Sequence, residues 1–251
     1  MISIKELNKL KEIKKANVYY EEKEYLQYIF LNSISKYSDN VVFKGGTALR
    51  ICFGLERASE DLDFSSELKT TEVKKIFLSC LKDFNLLNIP YEIYSEKKSK
   101  RNVRFEVKFK GPLFNGDARS TNTLKIDFNS QKVFYKKAKV VNKIFSDVPA
   151  FVINVLNEKE ILAEKIRTLI NRSESRDLYD LWFLFSKNVE IDKKLIVKKL
   201  AEEKSNYKNL KFPSEKEYEV SLKNLVNFLP DYSQVKKEVS KKLDEIFRSK
   251  P

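Results

Sequence analysis

Residues 40–64 set a short apolar run, NVVF, ahead of Lys44, Gly45 and Gly46, then a helical stretch from Thr47 to about Phe53, then a second short run, DLDF, at 61–64. That order predicts a strand, a tight turn, a helix and a strand inside 25 residues. Two glycines let a backbone approach an anion closely, Thr47 can cap the helix, and the N–H groups and dipole at a helix start favour phosphate. On DLDF, side chains two apart point to the same side of a strand. Asp61 and Asp63 therefore project together while Leu62 and Phe64 turn inward. Carboxylates held so close repel, and one takes up a proton unless a divalent cation sits between them. A phosphate cradle and a pair of metal ligands thus arrive in one supersecondary unit.

A later run, KIDF at 125–128, repeats the geometry: Leu124, Ile126 and Phe128 face one way and Asp127 the other. A third carboxylate from a neighbouring strand would complete the oxygen-only ligand set of one or two Mg²⁺ ions, as phosphoryl and nucleotidyl transfer require. The plain alternative is that each Asp ends a strand or caps a turn.

Composition narrows the chemistry further. The 251 residues contain no histidine, which excludes Ser-His-Asp and Cys-His catalysis, HExxH zinc sites and imidazole bases. Cys52 and Cys80 lie in apolar helical patterns without a CxxC and read as buried, reduced thiols. No apolar run reaches the ~20 residues of a membrane span, and the charged amphipathic start is not a signal peptide, so a soluble cytoplasmic protein is expected. The formal charge is +13, from 49 Lys+Arg against 36 Asp+Glu. Such a surplus favours phosphate-bearing partners, although a solvated Lys-rich surface also accounts for it. Two acid-free runs stand out: 97–104, with Lys97, Lys98, Lys100 and Arg101, and 129–146, with Lys136, Lys137 and Lys139. Both join strand-like segments and could form basic faces for nucleic acid.

Period-two alternation recurs at 91–95, 102–110, 122–128 and from 133, and a helical pattern covers 70–87. The piece GPLFNGDARST between two strands reads as a flexible loop placed to meet a substrate. From about Asn157 every long segment is helical in period. The expected architecture is α/β, with a sheet domain over 1–150 and an all-helical domain over 151–251.

Within 157–171, Lys165 falls inside the apolar arc of Ile161, Leu162, Ile166, Leu169 and Ile170. A buried ammonium needs an anion: a nucleotide triphosphate, or a salt bridge to Glu158 or Glu164. In the next helix, Asp177 beside Arg176 reads as architectural, and Asp180 at the rim of the apolar arc suits a cleft.

Together, FKGGTALRICFGLERASEDLDF, the isolated KIDF and EILAEKIRTLINRSESRDLYDLWFL resemble the AbiEii toxin family of nucleotidyltransferase-like proteins, which includes the MenT toxins. The resemblance spans about residues 40–186. It implies a polymerase-beta-type nucleotidyltransferase fold, the toxin half of a type IV toxin–antitoxin or phage abortive-infection pair with a cognate antitoxin, and transfer from an NTP to RNA, notably the tRNA 3′ end, with Mg²⁺. By motif, Gly45, Gly46 and Thr47 would line the triphosphate, with Ser59 nearby. Asp61 and Asp63 would hold metal with Asp127, Lys165 would contact phosphates, Asp180 would be the late catalytic acidic residue, and Asp127 or Asp180 would help deprotonate the acceptor hydroxyl. Thr47 stands where the nucleotidyltransferase GS motif has Ser, which keeps the hydroxyl. Two other functions stay open: transfer to a small hydroxylated acceptor such as an aminoglycoside, and a non-catalytic RNA- or partner-binding module on the same fold.

Overall fold

The computed structural model describes residues 1–99 and 102–248. Two helices open the chain, α1 (Ile4–Lys14) and α2 (Val18–Ser35). Then follow β1 (Val42–Lys44), α3 (Gly45–Phe53), β2 (Leu62–Ser65) and α4 (Thr70–Leu86). Five strands come next: β3 (Tyr91–Lys98), β4 (Asn102–Phe109), β5 (Asn122–Asn129), β6 (Lys136–Val141) and β7 (Phe151–Leu156). The remainder is helical: α5 (Glu158–Arg172), α6 (Ser175–Ser186), α7 (Lys193–Glu202), α8 (Glu215–Leu222) and α9 (Tyr232–Arg248).

The seven strands form one sheet in the order β3-β4-β5-β2-β1-β7-β6. It is mixed: β2 runs parallel to β5 and antiparallel to β1, while β1 runs parallel to β7. Alternation along each strand separates two faces. On one, Phe43, Leu62, Phe64, Phe105, Ile126 and Phe128 are buried. Phe64 stacks on Phe128 at 5.1 Å, and Phe77 of α4 stacks on Phe105 at 3.8 Å. Phe30 of α2 touches both Phe64 and Phe77, so α2 and α4 cover this face. Each fully buried ring of this kind contributes about 1.5–3 kcal/mol relative to exposure, so the site strands rest on a rigid floor.

The expected α/β sheet followed by helices is what the structure contains. Two compact units divide the chain: Met1–Gly54 with Ala58–Val155, and Leu55–Arg57 with everything from Leu156 onward. β7 pairs with β1 through Phe43 and Val155, so the sheet continues past residue 150. The two glycines do not form a free turn. They are the first residues of α3, which starts directly after β1. Asn157 caps α5 by accepting from the Lys159 N–H, and Ser173, left-handed at φ 53°, ends it two residues before α6.

Candidate active site

The site in the sheet unit is organised at the junction of β1 and α3. Lys44 is the N-cap of α3 and makes no side-chain cap hydrogen bond there, and Gly46 and Thr47 behind Gly45 are buried. Gly45 adopts φ +77°, and a Cβ built on it would collide with an Oδ of Asp63 and lie 3.1 Å from Asp63 Cβ and Cγ. The glycine is therefore required by the Asp63 carboxylate. Thr47 does not cap α3. It is fully buried, its hydroxyl donates to the Asp61 carbonyl at 2.5 Å, and it lies 2.9 Å from Ser59 Oγ. Gln27 of α2 donates to the carbonyls of Ser59 (2.9 Å) and Glu60 (3.1 Å). The segment entering β2 is thereby pinned from two sides, which fixes Asp61.

Register carries the charges across the sheet. Lys44 lies opposite Asp63, Asp63 beside Asp127, Asp127 opposite Arg104, and Arg104 opposite Lys97. One row on the face away from the aromatic core thus reads cation, carboxylate, carboxylate, cation, cation. The Lys44 ammonium reaches Gln131 at 2.6 Å. Arg104 Nε donates to both oxygens of Asp127, at 2.8 and 2.9 Å. Asp127, Asp61 and Asp63 together hold the Arg104 guanidinium above its usual pKa. Lys23 of α2 is also buried against this end of the sheet, its ammonium donating to the Thr123 carbonyl at 2.8 Å. Burial pushes it down, opposed by the fields of Glu60 and Asp61.

Lys23, Gln27 and Arg104 are site neighbours that sequence reasoning passed over. A signal existed for the first: EEKE at 21–24 sits inside an aromatic-rich helix, and all four of these charged residues are buried.

Among the described residues no group of three or more Cys, Asp or Glu side chains is arranged to hold a metal ion. A pair suffices for Mg²⁺, which typically takes one or two carboxylates and completes its shell with water and substrate phosphates. The pairing of Asp63 with the Gly45 gap, and Asp61 fixed two residues away, fits that requirement.

In the helical unit, Lys165 is paired to Asp177 (2.9 Å) and Asp180 (2.7 Å), not to Glu158 or Glu164. Asp180 is fully buried rather than at a rim, and Arg57 grips it through Nε and Nη2 at 2.6 and 2.8 Å. Arg172 Nε takes the other oxygen of Asp177 at 2.7 Å. Burial alone would raise both carboxylates and lower Lys165; the opposite charges outweigh it, so Asp177 and Asp180 are held below their usual range and Lys165 above. Glu164 instead serves the buried Lys199, with Glu160.

The basic runs occupy the two edges of the sheet. Lys97 and Lys98 lie on β3, near Glu106 (3.5 Å) and Glu96 (2.8 Å). Lys136, Lys137 and Lys139 lie on β6, where the last two sit over the Phe53 ring at 4.8 and 4.9 Å. Six strand spacings separate the edges, roughly 29 Å at about 4.8 Å each. Lys100 and Arg101 lie outside the described residues. Glu22 of α2 accepts from the Leu113 N–H in the loop after β4 (2.7 Å) and from Asn122 Nδ2 at the start of β5 (2.9 Å).

With this geometry in hand, likeness to known proteins is informative. A family model described as nucleotidyl transferase AbiEii toxin, type IV TA system, matches residues 29–249. No curated protein is similar in sequence at a significant level. Among solved structures, MenT4, the nucleotidyltransferase toxin Rv2826c from Mycobacterium tuberculosis H37Rv, is similar with a TM-score of 0.71 at 17% identity, covering 93% of this chain and 85% of that one. JHP933 from Helicobacter pylori is similar with a TM-score of 0.59 at 20% identity, covering 93% and 94%. At such identities the structural likeness speaks for the fold.

Proposed function

Because the chain belongs to the AbiEii family of toxin nucleotidyltransferases, we propose that it transfers nucleotides from an NTP to the 3′ end of RNA, tRNA foremost, with Mg²⁺, and is neutralised by a cognate antitoxin. The observation that carries this reading is Asp63 set against Gly45 at the start of an α3 that Lys44 leaves without a side-chain cap hydrogen bond, with Asp61 two residues before it in the chain. Asp61 and Asp63 would hold Mg²⁺, which offsets negative charge on the α-phosphate and the departing pyrophosphate. The backbone N–H groups at Gly45, Gly46 and Thr47 would receive phosphate oxygens, aided by the helix dipole. Thr47 and Gln27 hold the backbone of the segment that carries Asp61, which fixes where its side chain starts.

The family roles of Lys165 toward phosphate and Asp180 toward the acceptor stay within the proposal. Both require the buried network to reopen, since each oxygen of Asp180 already faces a cation. The Lys runs on β3 and β6 would meet the RNA backbone. Placement in the cytoplasm follows the same reading; no helix among the described residues is long and apolar enough to cross a membrane.

The test is incubation with each labelled NTP and total tRNA, with a parallel aminoglycoside arm. Label should enter RNA in a Mg²⁺-dependent manner, and Asp61→Asn should reduce transfer by about a hundredfold or more. Full transfer by that variant refutes the metal assignment, and label found only on the small acceptor refutes RNA as substrate.

A further inference from the structure

Asp127 occupies the place where a third carboxylate ligand would be sought, one strand across from Asp63. Its oxygens are already engaged, however, since Arg104 Nε lies 2.8 and 2.9 Å from the two of them. Arginine cannot release its proton in a protein, so this contact is a fixed charge and not a hydrogen bond that deprotonation could free. The Arg104 side chain is 46% exposed against 16% for Asp127. The guanidinium therefore covers the carboxylate while keeping an edge open to solvent. Register puts a further cation, Lys97, on its outer side. With three cations to two carboxylates, the row does not call for a second divalent ion beside Asp127.

We propose that Arg104 is the resident cation of the site: it withholds Asp127 from the metal, leaves Asp61 and Asp63 as the protein's ligands, and offers its open edge to the nucleotide phosphates. This rests on the nucleotidyltransferase reading above and assigns Arg104 a phosphate-binding role beyond it. Guanidinium donors match phosphate oxygens in pairs, and a cation beside the ligands lowers metal affinity by like-charge repulsion. Removing Arg104 should therefore have effects of opposite sign on the two partners.

The experiment titrates the full chain with Mn²⁺, followed by electron paramagnetic resonance, and separately with a non-hydrolysable NTP by calorimetry. Arg104→Ala should bind Mn²⁺ about tenfold more tightly, because Asp127 is released, and the nucleotide about tenfold more weakly. Asp127→Asn should leave Mn²⁺ affinity within about twofold of the parent, and Arg104→Lys should recover part of the nucleotide binding. If Asp127→Asn weakens Mn²⁺ binding as much as Asp61→Asn does, Asp127 is a ligand and the proposal is overturned. Unchanged Mn²⁺ affinity in a folded Arg104→Ala overturns it equally. Asp61→Asn separates the two levels: undiminished Mn²⁺ binding there removes the metal reading itself, not only the role of Arg104.

Discussion

Gly45 shows how much one residue can settle. Its left-handed φ and the absence of a Cβ admit the Asp63 carboxylate to the end of β1. Gly45→Ala has to pay for both the conformation and the collision. It should lose about 2 kcal/mol or more of stability in urea titration and bind Mn²⁺ more weakly, because Asp63 has to move. An alanine variant as stable as the parent would show that the carboxylate does not need this gap. The paired orientation of Asp61 and Asp63 was legible in DLDF, because strand alternation is a local property of the chain. The reason for the glycine was not, since the atom it accommodates lies 18 positions further on. Lys23 and Arg104 were overlooked for the same cause: each approaches the carboxylates from an element of its own.

Among elements, the α5–α6 hairpin is the clearest case. The helical wheel of α5 already marks Lys165 as an ammonium in want of an anion. Which anion depends on Ser173 turning the chain so that α6 lays Asp177 and Asp180 beside it. The consequence for pH has a definite sign. Asp177 and Asp180 have depressed folded pKa values, so their stabilisation is complete above the unfolded aspartate value of about 3.9 and is lost as pH falls below it. Lys165 and Arg57 are raised, so theirs is complete below about pH 10 and lost only at higher pH. Thermal unfolding followed by circular dichroism should give a melting temperature that is level between about pH 5 and 9 and falls below about pH 4. Asp180→Asn should cost about 3–5 kcal/mol at neutral pH by taking the paired carboxylate from buried Arg57 and one of two from Lys165, and should flatten the acid limb. An acid limb unchanged in that variant would contradict the ion-pair assignment.

At the level of the whole molecule, the chain leaves the sheet unit after Gly54, lends Leu55–Arg57 to the helical unit and returns at Ala58. A cut at the apparent boundary therefore removes Arg57 from Asp180. The fragment 156–251 should lack cooperative thermal unfolding and dispersed amide resonances, since breaking such a buried pair costs about 3–5 kcal/mol, a large share of a small domain's stability. A fragment that folds cooperatively would show that Arg57 is dispensable to the helical unit. Composition marked the change of texture near residue 150 but could not reveal that three residues from inside the nucleotidyltransferase motif belong to the later unit. The basic runs show the same limit, because their sequence separation says nothing of their places on opposite edges of one sheet.

Sequence alone determined whatever repeats within an element: the alternation that pairs Asp61 with Asp63, the helical period that exposes Lys165 as an anomaly, and the chemistry excluded by the lack of histidine. Tertiary structure decided every partnership between elements: Asp63 with Gly45, Thr47 with Asp61, Asp127 with Arg104, and Lys165 with the two aspartates of α6. Periodicity is written in neighbouring residues, whereas strand order and helix packing are set by burial of surface drawn from the whole chain. Which charges meet is therefore known only once the chain has folded.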